Sequence, residues 1–165
     1  MNKFSIEFNQ NTNSNDTILI LNPYNKNNKF ISESELITIF KRGNIPFNYG
    51  DIEIYRRAFI HKSYCKKSTE YKNIKVLEKP EDCMELQDYC NERLEFLGDS
   101  VLGSSVVSYI YRRFYDQNEG IMTKIKNNLV NTNALAKFAR YLGLGKHIIM
   151  AKNVEDKNGR INNRI

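Results

Sequence analysis

Residues 91–102, which read NERLEFLGDSVL, constrain the fold more than any other stretch of this chain. At about 100° of turn per residue, a helix brings Glu92, Glu95 and Asp99 into an arc of roughly 60°. The remaining surface of that helix is mostly apolar, and it includes Leu94, Phe96, Leu97, Val101, Leu102, Val106 and Ile110. A helix that is apolar almost all round is typical of a buried central helix, and we expect one over residues 92–115.

The three carboxylates of this helix indicate chemistry. Acidic residues at helical spacing most often form a solvated surface face. Carboxylates at the edge of a buried helix instead repel one another and lose hydration, so they need protons, basic partners or a cation. Oxygen ligands suit a hard cation such as Mg²⁺, which keeps several waters and joins carboxylates to phosphate oxygens. Glu92, Glu95 and Asp99 therefore indicate part of a phosphodiester-cleaving metal site.

The same motif resembles the signature of the ribonuclease III family of double-stranded-RNA endonucleases. Residues 58–64 (AFIHKSY) resemble the end of the preceding helix in that family. Glu119 and Gly120, followed by residues 129–131 (LVN), resemble its following helices. The resemblance covers most of residues 50–150, and its parts occur in the expected order.

This resemblance implies an all-α endonuclease domain that dimerises and places two cleavage sites across one RNA duplex. By position, Glu95 and Asp99 would ligate Mg²⁺, or Mn²⁺ in its place. Glu92 and Glu119 would be supporting acids in the same valley, and the four acids together are the candidate catalytic residues. Phe96 matches the aromatic residue that enters a socket of the partner subunit. Its position agrees with this role, because a large aromatic beside the acids would be costly to expose in a monomer.

The basic residues after the motif are candidate RNA contacts. The formal net charge of +6 and the isoelectric point of about 9.2 favour a polyanionic partner, although charge alone is a weak indicator. Lys124 and Lys126 lie in the predicted helix that begins at Glu119, where they could bind phosphates of double-stranded RNA. A solvated basic face is an equally good interpretation of either lysine.

The C-terminal end departs from the family pattern. The family completes each site with a second acidic motif on a later apolar helix, and this chain stops before such a helix. Glu155 and Asp156 are adjacent in a polar segment without helical periodicity, and we do not accept them as substitutes. We therefore expect a domain that is incomplete at its C-terminus, binds Mg²⁺ weakly and is inactive by itself.

The function expected of the parent protein is metal-assisted hydrolysis of double-stranded RNA to 5′-phosphate and 3′-hydroxyl ends. One alternative is a non-catalytic module that keeps the fold for dimerisation or RNA binding. Another is a helical interaction protein whose acids bind a basic partner. The presence of all four acids favours descent from an active enzyme.

The rest of the chain predicts the domain organisation. Residues 1–31 are expected to form a small hairpin or a loosely attached arm, and residues 32–165 the endonuclease domain. Ser32 begins a capping box before a short first helix that ends near Gly43. A second helix is expected over residues 51–62, with Ile54, Tyr55, Ala58 and Phe59 facing the core. Residues 65–90 read as a solvated insertion, residues 151–165 as polar and unpacked, and His61 as structural.

Three cysteines, Cys65, Cys83 and Cys90, lack the spacing of a zinc site and are expected to be reduced thiols. The sequence has no long apolar run for a membrane span and no basic-then-apolar leader. These observations predict a soluble intracellular protein without a membrane partner. The expected location is cytoplasmic, or the host cytoplasm if the source is a virus, as the abundance of Asn, Lys and Ile suggests.

Overall fold

The computed structural model describes residues 19–46, 50–69 and 74–162. Helices dominate the regular structure of this part of the chain, so the all-α prediction is confirmed. The elements in chain order are β1 (Leu19–Leu21), α1 (Glu33–Arg42), α2 (Ile52–Ala58), β2 (Ile74–Val76), α3 (Glu92–Arg113), α4 (Glu119–Val130), α5 (Thr132–Leu142) and α6 (Lys152–Glu155). Within the described ranges, no helix is both long enough and apolar enough to cross a membrane.

Helix α1 forms where its capping residues predict it. The Ser32 side chain accepts a hydrogen bond from the Glu35 amide, and the Glu35 carboxylate accepts one from the Ser32 amide. This reciprocal pair satisfies two donors that a helix start leaves without partners. The amide of Ser32 and the nearby Lys29 hold the pKa of Glu35 down at about 2. The helix ends at Gly43, so its predicted limits are confirmed.

Helix α2 is shorter than predicted because the chain leaves it to join the core. Phe59 ends the helix as its C-cap, and the Ile149 amide donates to the Phe59 carbonyl at 2.8 Å. Ile60 is then buried, with 5% of its surface exposed. The prediction of inward side chains is half right, because Tyr55 and Phe59 are half-buried, whereas Ile54 is 54% exposed and Ala58 is also exposed. The helix is too short for its apolar stripe to define the packed side.

Helix α3 has nearly its predicted length but not its predicted burial. Ile110 is its buried residue, whereas Leu97 and Val101 remain 59% and 57% exposed. The expectation of a helix buried all round is therefore wrong for the described structure. Helix α4 packs along α3, but the side that carries Leu97 and Val101 meets no comparable element of the described chain. Apolar side chains around a helix show that it can be buried, but burial occurs only where another element packs against it.

The core lies beside the start of α3 rather than around it. Buried Ile60, Tyr64, Cys65, Ile149 and Ala151 form one cluster. The stretch 65–90 contributes Met84, Leu86 and Cys90 to its edge. The Tyr64 hydroxyl donates to the Met84 carbonyl at 2.7 Å. The interpretation of 65–90 as a solvated insertion is therefore wrong for its second half.

The N-terminal stretch is attached differently from the prediction. Strand β1 pairs in parallel with β2, a partner that the sequence did not predict, and a hairpin with the residues that precede β1 stays a prediction. Residues 1–18, which contain the rest of the predicted hairpin or arm, lie outside the described residues. Asn25 has no exposed surface and Ile31 is 1% exposed, so residues 22–31 are not loosely attached. The division of the chain after residue 31 stays a prediction.

The C-terminal segment is packed, contrary to expectation. Arg160 donates to the carbonyls of Gly145, Lys146 and Ile148 and makes a salt bridge with Glu155 at 2.7 Å. Glu155 also accepts a hydrogen bond from buried Asn25. We call Asn25, Asn28, Glu155 and Arg160 the terminal clasp. The segment looked unpacked in sequence because it is polar, but Glu155 and Arg160 pair with each other, with Asn25 and with backbone carbonyls.

Candidate active site

The start of α3 positions the three acids of the motif. The Asn91 amide donates to the Ile60 carbonyl at 2.9 Å, and the Glu95 amide donates to the Asn91 carbonyl at 2.8 Å. The helix is thereby anchored to the core at its first turn. Glu92, Glu95 and Asp99 are all exposed, and their spacing puts them on one side of α3.

Glu92 is held by two neighbours. Lys62 Nζ lies 3.3 Å from Glu92 Oε1, and Cys90 Sγ donates to Glu92 Oε2 at 3.6 Å. These hydrogen bonds, that from Lys62 first, lower the pKa of Glu92 below its ordinary value. The Lys62 contact was not predicted, because Lys62 and Glu92 lie far apart in sequence. Glu92 is therefore a fixed, ionised acid at the base of the helix.

Glu95 faces a cavity of about 690 Å³. His61, Asn91 and Arg140 also line this cavity, and apolar residues of α5, including Leu135 and Ala136, form much of the rest of its wall. Arg140 was not singled out in sequence for this position, and no local pattern could have placed it there. A carboxylate at the mouth of a large, partly apolar cavity is available to a ligand.

Asp99 lies one turn beyond Glu95. Within the described ranges, neither Asp99 nor Glu95 forms a salt bridge with a lysine or arginine. Both are oxygen donors of the kind that Mg²⁺ prefers. However, no three His, Cys, Asp or Glu side chains of the described structure converge to hold a metal ion. The two carboxylates fit one part of a Mg²⁺ site, and a complete octahedral site needs ligands beyond these residues.

Glu119 lies away from the other acids. It begins α4, where Thr123 Oγ1 donates to its carboxylate at 2.8 Å, and it lines a small cavity with Ile110 and Tyr111. Since α3 rises about 1.5 Å per residue, Ile110 lies roughly 20 Å along the helix from Glu95. Within one chain, the structure therefore does not bring Glu119 beside Glu95, and its supporting role stays a prediction.

Lys124 and Lys126 lie on the same helix as Glu119. Lys124 is exposed, and Lys126 is half-buried at the wall of the small cavity beside Glu119. Lys124 therefore presents its charge to solvent, whereas part of Lys126 packs against the protein. Their contact with RNA stays a prediction.

Phe96 lies beside the acids and is 80% exposed. Leu97 and Val101 continue this exposed apolar surface along α3. An exposed aromatic beside other exposed apolar side chains is unfavourable in water, as expected for Phe96 in a single chain. The role of Phe96 at a dimer interface stays a prediction.

His61 has the structural role expected of it. Its Nδ1 accepts a hydrogen bond from the Ser63 amide at 3.2 Å and contacts the Ser63 hydroxyl at 2.8 Å. Burial, and then the nearby Lys62, lower the pKa of His61. Glu155, which was rejected as a substitute metal ligand, is engaged in the terminal clasp.

Comparison with known proteins defines the class to which this helical domain belongs. A family model described as "Ribonuclease-III-like" matches residues 51–165. A ribonuclease 3 from Treponema denticola is 34% identical over 128 residues, which cover 78% of this chain and 45% of that protein. A probable ribonuclease 3 from Acanthamoeba polyphaga mimivirus is 28% identical over 142 residues, covering 84% of this chain and 26% of that protein.

Solved structures give the same result. The nuclease domain of ribonuclease III from Campylobacter jejuni superposes with a TM-score of 0.58 at 30% identity, covering 77% of this chain and 73% of that one. That nuclease domain has structural flexibility in a region involved in its dimer formation. The chain belongs to the ribonuclease III family. It spans less than half the length of the curated relatives from Treponema denticola and the mimivirus.

Proposed function

We propose that the protein is an endonuclease that cleaves double-stranded RNA and leaves 5′-phosphate and 3′-hydroxyl ends. The observation that carries this proposal is the exposure of Glu95 and Asp99 on one side of α3, without a basic partner in the described structure. Glu155, by contrast, is paired with Arg160 and is not available to a ligand. Family membership supports the reaction type.

The acids of α3 have distinct proposed roles. We assign Glu95 and Asp99 as ligands of Mg²⁺, with Mn²⁺ as an alternative. When bound in a complete site, such an ion stabilises charge on the attacking and leaving oxygens of the phosphodiester. Glu92, paired with Lys62 at the start of α3, is proposed as a supporting acid of this site. Glu119 is proposed to act as a further supporting acid once subunits assemble.

The assembly proposed for the active protein is a homodimer. Phe96 and the exposed apolar side chains that follow it on α3 are the proposed interface, because large apolar surfaces are costly to leave in water. Lys124 and Lys126 are proposed to bind phosphates of the duplex. Binding should then weaken as salt concentration rises, since each phosphate contact releases counterions.

The ligand count leads to a specific expectation for these 165 residues. Glu95 and Asp99 alone hold Mg²⁺ too loosely to fix its position, and a loosely placed ion gives little transition-state stabilisation. We therefore expect the 165-residue chain to bind duplex RNA weakly and to cut it negligibly. The protein translated from the complete coding sequence, if it supplies the remaining ligands, should cut with Mg²⁺.

The test is a labelled RNA duplex incubated with the 165-residue chain, the complete coding product and Asp99→Asn variants of both, with Mg²⁺ or with a chelator. Asp99→Asn in the complete product should abolish cleavage by at least about a hundredfold while leaving salt-dependent binding intact. Lys124→Ala is the matched contrast, because it should weaken binding without abolishing cleavage at saturating protein.

Two outcomes would contradict these proposals separately. Cleavage by the 165-residue chain that Asp99→Asn abolishes would show that other groups complete the site. Absence of cleavage by the complete product, with duplex binding retained, would support a non-catalytic dimerisation or RNA-binding module. The observation that favours this second function is the lack of a three-ligand metal cluster in the described structure.

A further inference from the structure

Two hydrogen-bonded stretches hold Cys65 beside Cys90. The backbone of Cys65 forms a parallel β-bridge with that of Gln87. The Asn91 amide donates to the Ile60 carbonyl at 2.9 Å. Cys90 lies between these two fixed points and packs on the core cluster that contains Cys65. Burial, and then the neighbouring Cys90 side chain, raise the pKa of the Cys65 thiol. Their proximity therefore comes from backbone pairing rather than from flexible side chains.

The paired thiols face a cavity that opens to solvent. Both cysteines line this cavity, whose volume is about 410 Å³, and Cys90 is the more exposed of the two. Arg57, Lys67 and Arg93 also line it, so the cavity favours an anionic reagent. The acids on its wall, Asp88 and Glu92, are in salt bridges with Lys66 and Lys62.

The third cysteine has different surroundings. Cys83 lies between the other two in sequence, but it is not among the residues that line this cavity. Its thiol faces Asp82 at 3.7 Å. Cys83 therefore provides an internal control for any reaction of the pair.

We propose that Cys65 and Cys90 are a thiol-modification site at which a small anionic disulfide, such as glutathione disulfide, forms an intrachain disulfide. The Cys90 thiolate, with its proton lost to solvent, attacks one sulfur of glutathione disulfide and displaces the first glutathione thiolate. Cys65 then attacks Cys90 Sγ and displaces the second glutathione thiolate, which takes up the Cys65 proton. The two protein thiols lose two electrons together, and glutathione disulfide gains them.

The environment of each thiol agrees with this order of attack. Burial raises the pKa of the Cys65 thiol to about 11. Little of it is therefore thiolate near neutral pH, and Cys65 is a poor first nucleophile. Cys90 reaches the cavity and meets the reagent first. Oxidation also removes the thiol hydrogen that Glu92 Oε2 accepts from Cys90, which connects this site to the first turn of α3.

The experiment equilibrates the folded 165-residue chain with glutathione buffers of graded ratio, followed by acid quenching, alkylation and peptide mass analysis. The expected product is a Cys65–Cys90 linked peptide with a mass loss of about 2 Da, and two alkylated thiols lost per chain. Cys83→Ser should form the same link. Cys90→Ser should form no link, and Cys65→Ser should retain glutathione on Cys90.

A comparison with the chain unfolded in urea shows whether the folded structure promotes formation of the Cys65–Cys90 disulfide. The equilibrium for closing the disulfide should favour the folded chain over the unfolded chain by at least about tenfold, because the fold holds the thiols together. Three results would overturn the proposal. They are a link through Cys83, a link only between two chains, and equal closure in urea and in native buffer. None of these readouts depends on RNA cleavage.

Discussion

Single residues in this protein show how burial and pairing change acid–base behaviour. His147 is 1% exposed, and neither ring nitrogen has a hydrogen-bond partner in the described structure. Its ring packs against Phe59, with 5.6 Å between the ring centroids. Burial lowers the pKa of His147 below its ordinary value, the nearby Glu35 carboxylate opposes this effect, and positive charges at Lys146, Lys29 and Arg160 add to it.

This lowered pKa predicts acid sensitivity. Well above pH 6.5, His147 is neutral in both the folded and unfolded chains, so it does not make the stability depend on pH. As the pH falls below 6.5, the unfolded chain binds the proton first, and the free energy of unfolding decreases. The loss stops below the lowered pKa of the folded state. Stability should therefore fall between pH 7.5 and pH 5 by more in the native chain than in His147→Leu, as measured by urea unfolding.

His61 supplies the matched control, because burial lowers its pKa in the same direction. In His61→Asn, the amide oxygen can still accept from the Ser63 amide, so that variant should keep the contribution of His147 to the pH dependence. An equal loss of stability on acidification in the native chain and in His147→Leu would contradict the prediction.

At the scale of elements, the termini of the described chain stabilise one another through the terminal clasp. Glu155 and Arg160 are each 19% exposed at their side chains, and buried Asn25 donates to the same carboxylate. Arg160 and then Asn25 lower the pKa of Glu155 to about 2, against the opposing effect of burial. A single acid thus connects the N-terminal stretch, α6 and the segment that follows it.

Replacement of Glu155 by Gln should destabilise the protein by about 2 kcal/mol, because Arg160 loses its charged partner in a poorly hydrated place. The stabilisation by Glu155 should be complete above pH 4.5 and should be lost as the pH falls towards 2. Urea unfolding of Glu155→Gln and Asp156→Asn at pH 7 tests this expectation.

The neighbouring Asp156 is a suitable control because its salt bridge with Lys152 is about half exposed. Asp156→Asn should change the free energy of unfolding by less than about 0.5 kcal/mol. Equal effects of the two replacements would show that the clasp contributes no more than a surface salt bridge.

At the scale of the whole molecule, the exposed side of α3 predicts self-association. Phe96→Ala should shift a dimer towards monomer in sedimentation velocity, because an aromatic hot spot buried at an interface contributes about 2 kcal/mol or more to binding. Tyr115 is 88% exposed near the far end of the same helix, and Tyr115→Ala is the control. A dimer that dissociates equally in both variants, or in neither, would remove Phe96 from the interface.

The helix caps, the helix limits and the side of a helix that each residue occupies followed from local sequence patterns. The capping box at Ser32, the limits of α3 and the common side of Glu92, Glu95 and Asp99 follow from helical geometry and terminal hydrogen bonds. The family resemblance of residues 91–102 also depends on a contiguous motif. These interactions span only a few residues, so periodicity and capping rules predict them.

Packing between distant segments sets which of these patterns are buried and which distant groups meet. The salt bridge of Lys62 with Glu92, the clasp of Asn25 with Glu155 and the parallel pairing of β1 with β2 join segments far apart in sequence. Burial of α3 was predicted wrongly because amphipathicity describes one helix, whereas burial needs a second surface. Contacts between distant segments depend on the whole path of the chain, and no local pattern of residues specifies that path.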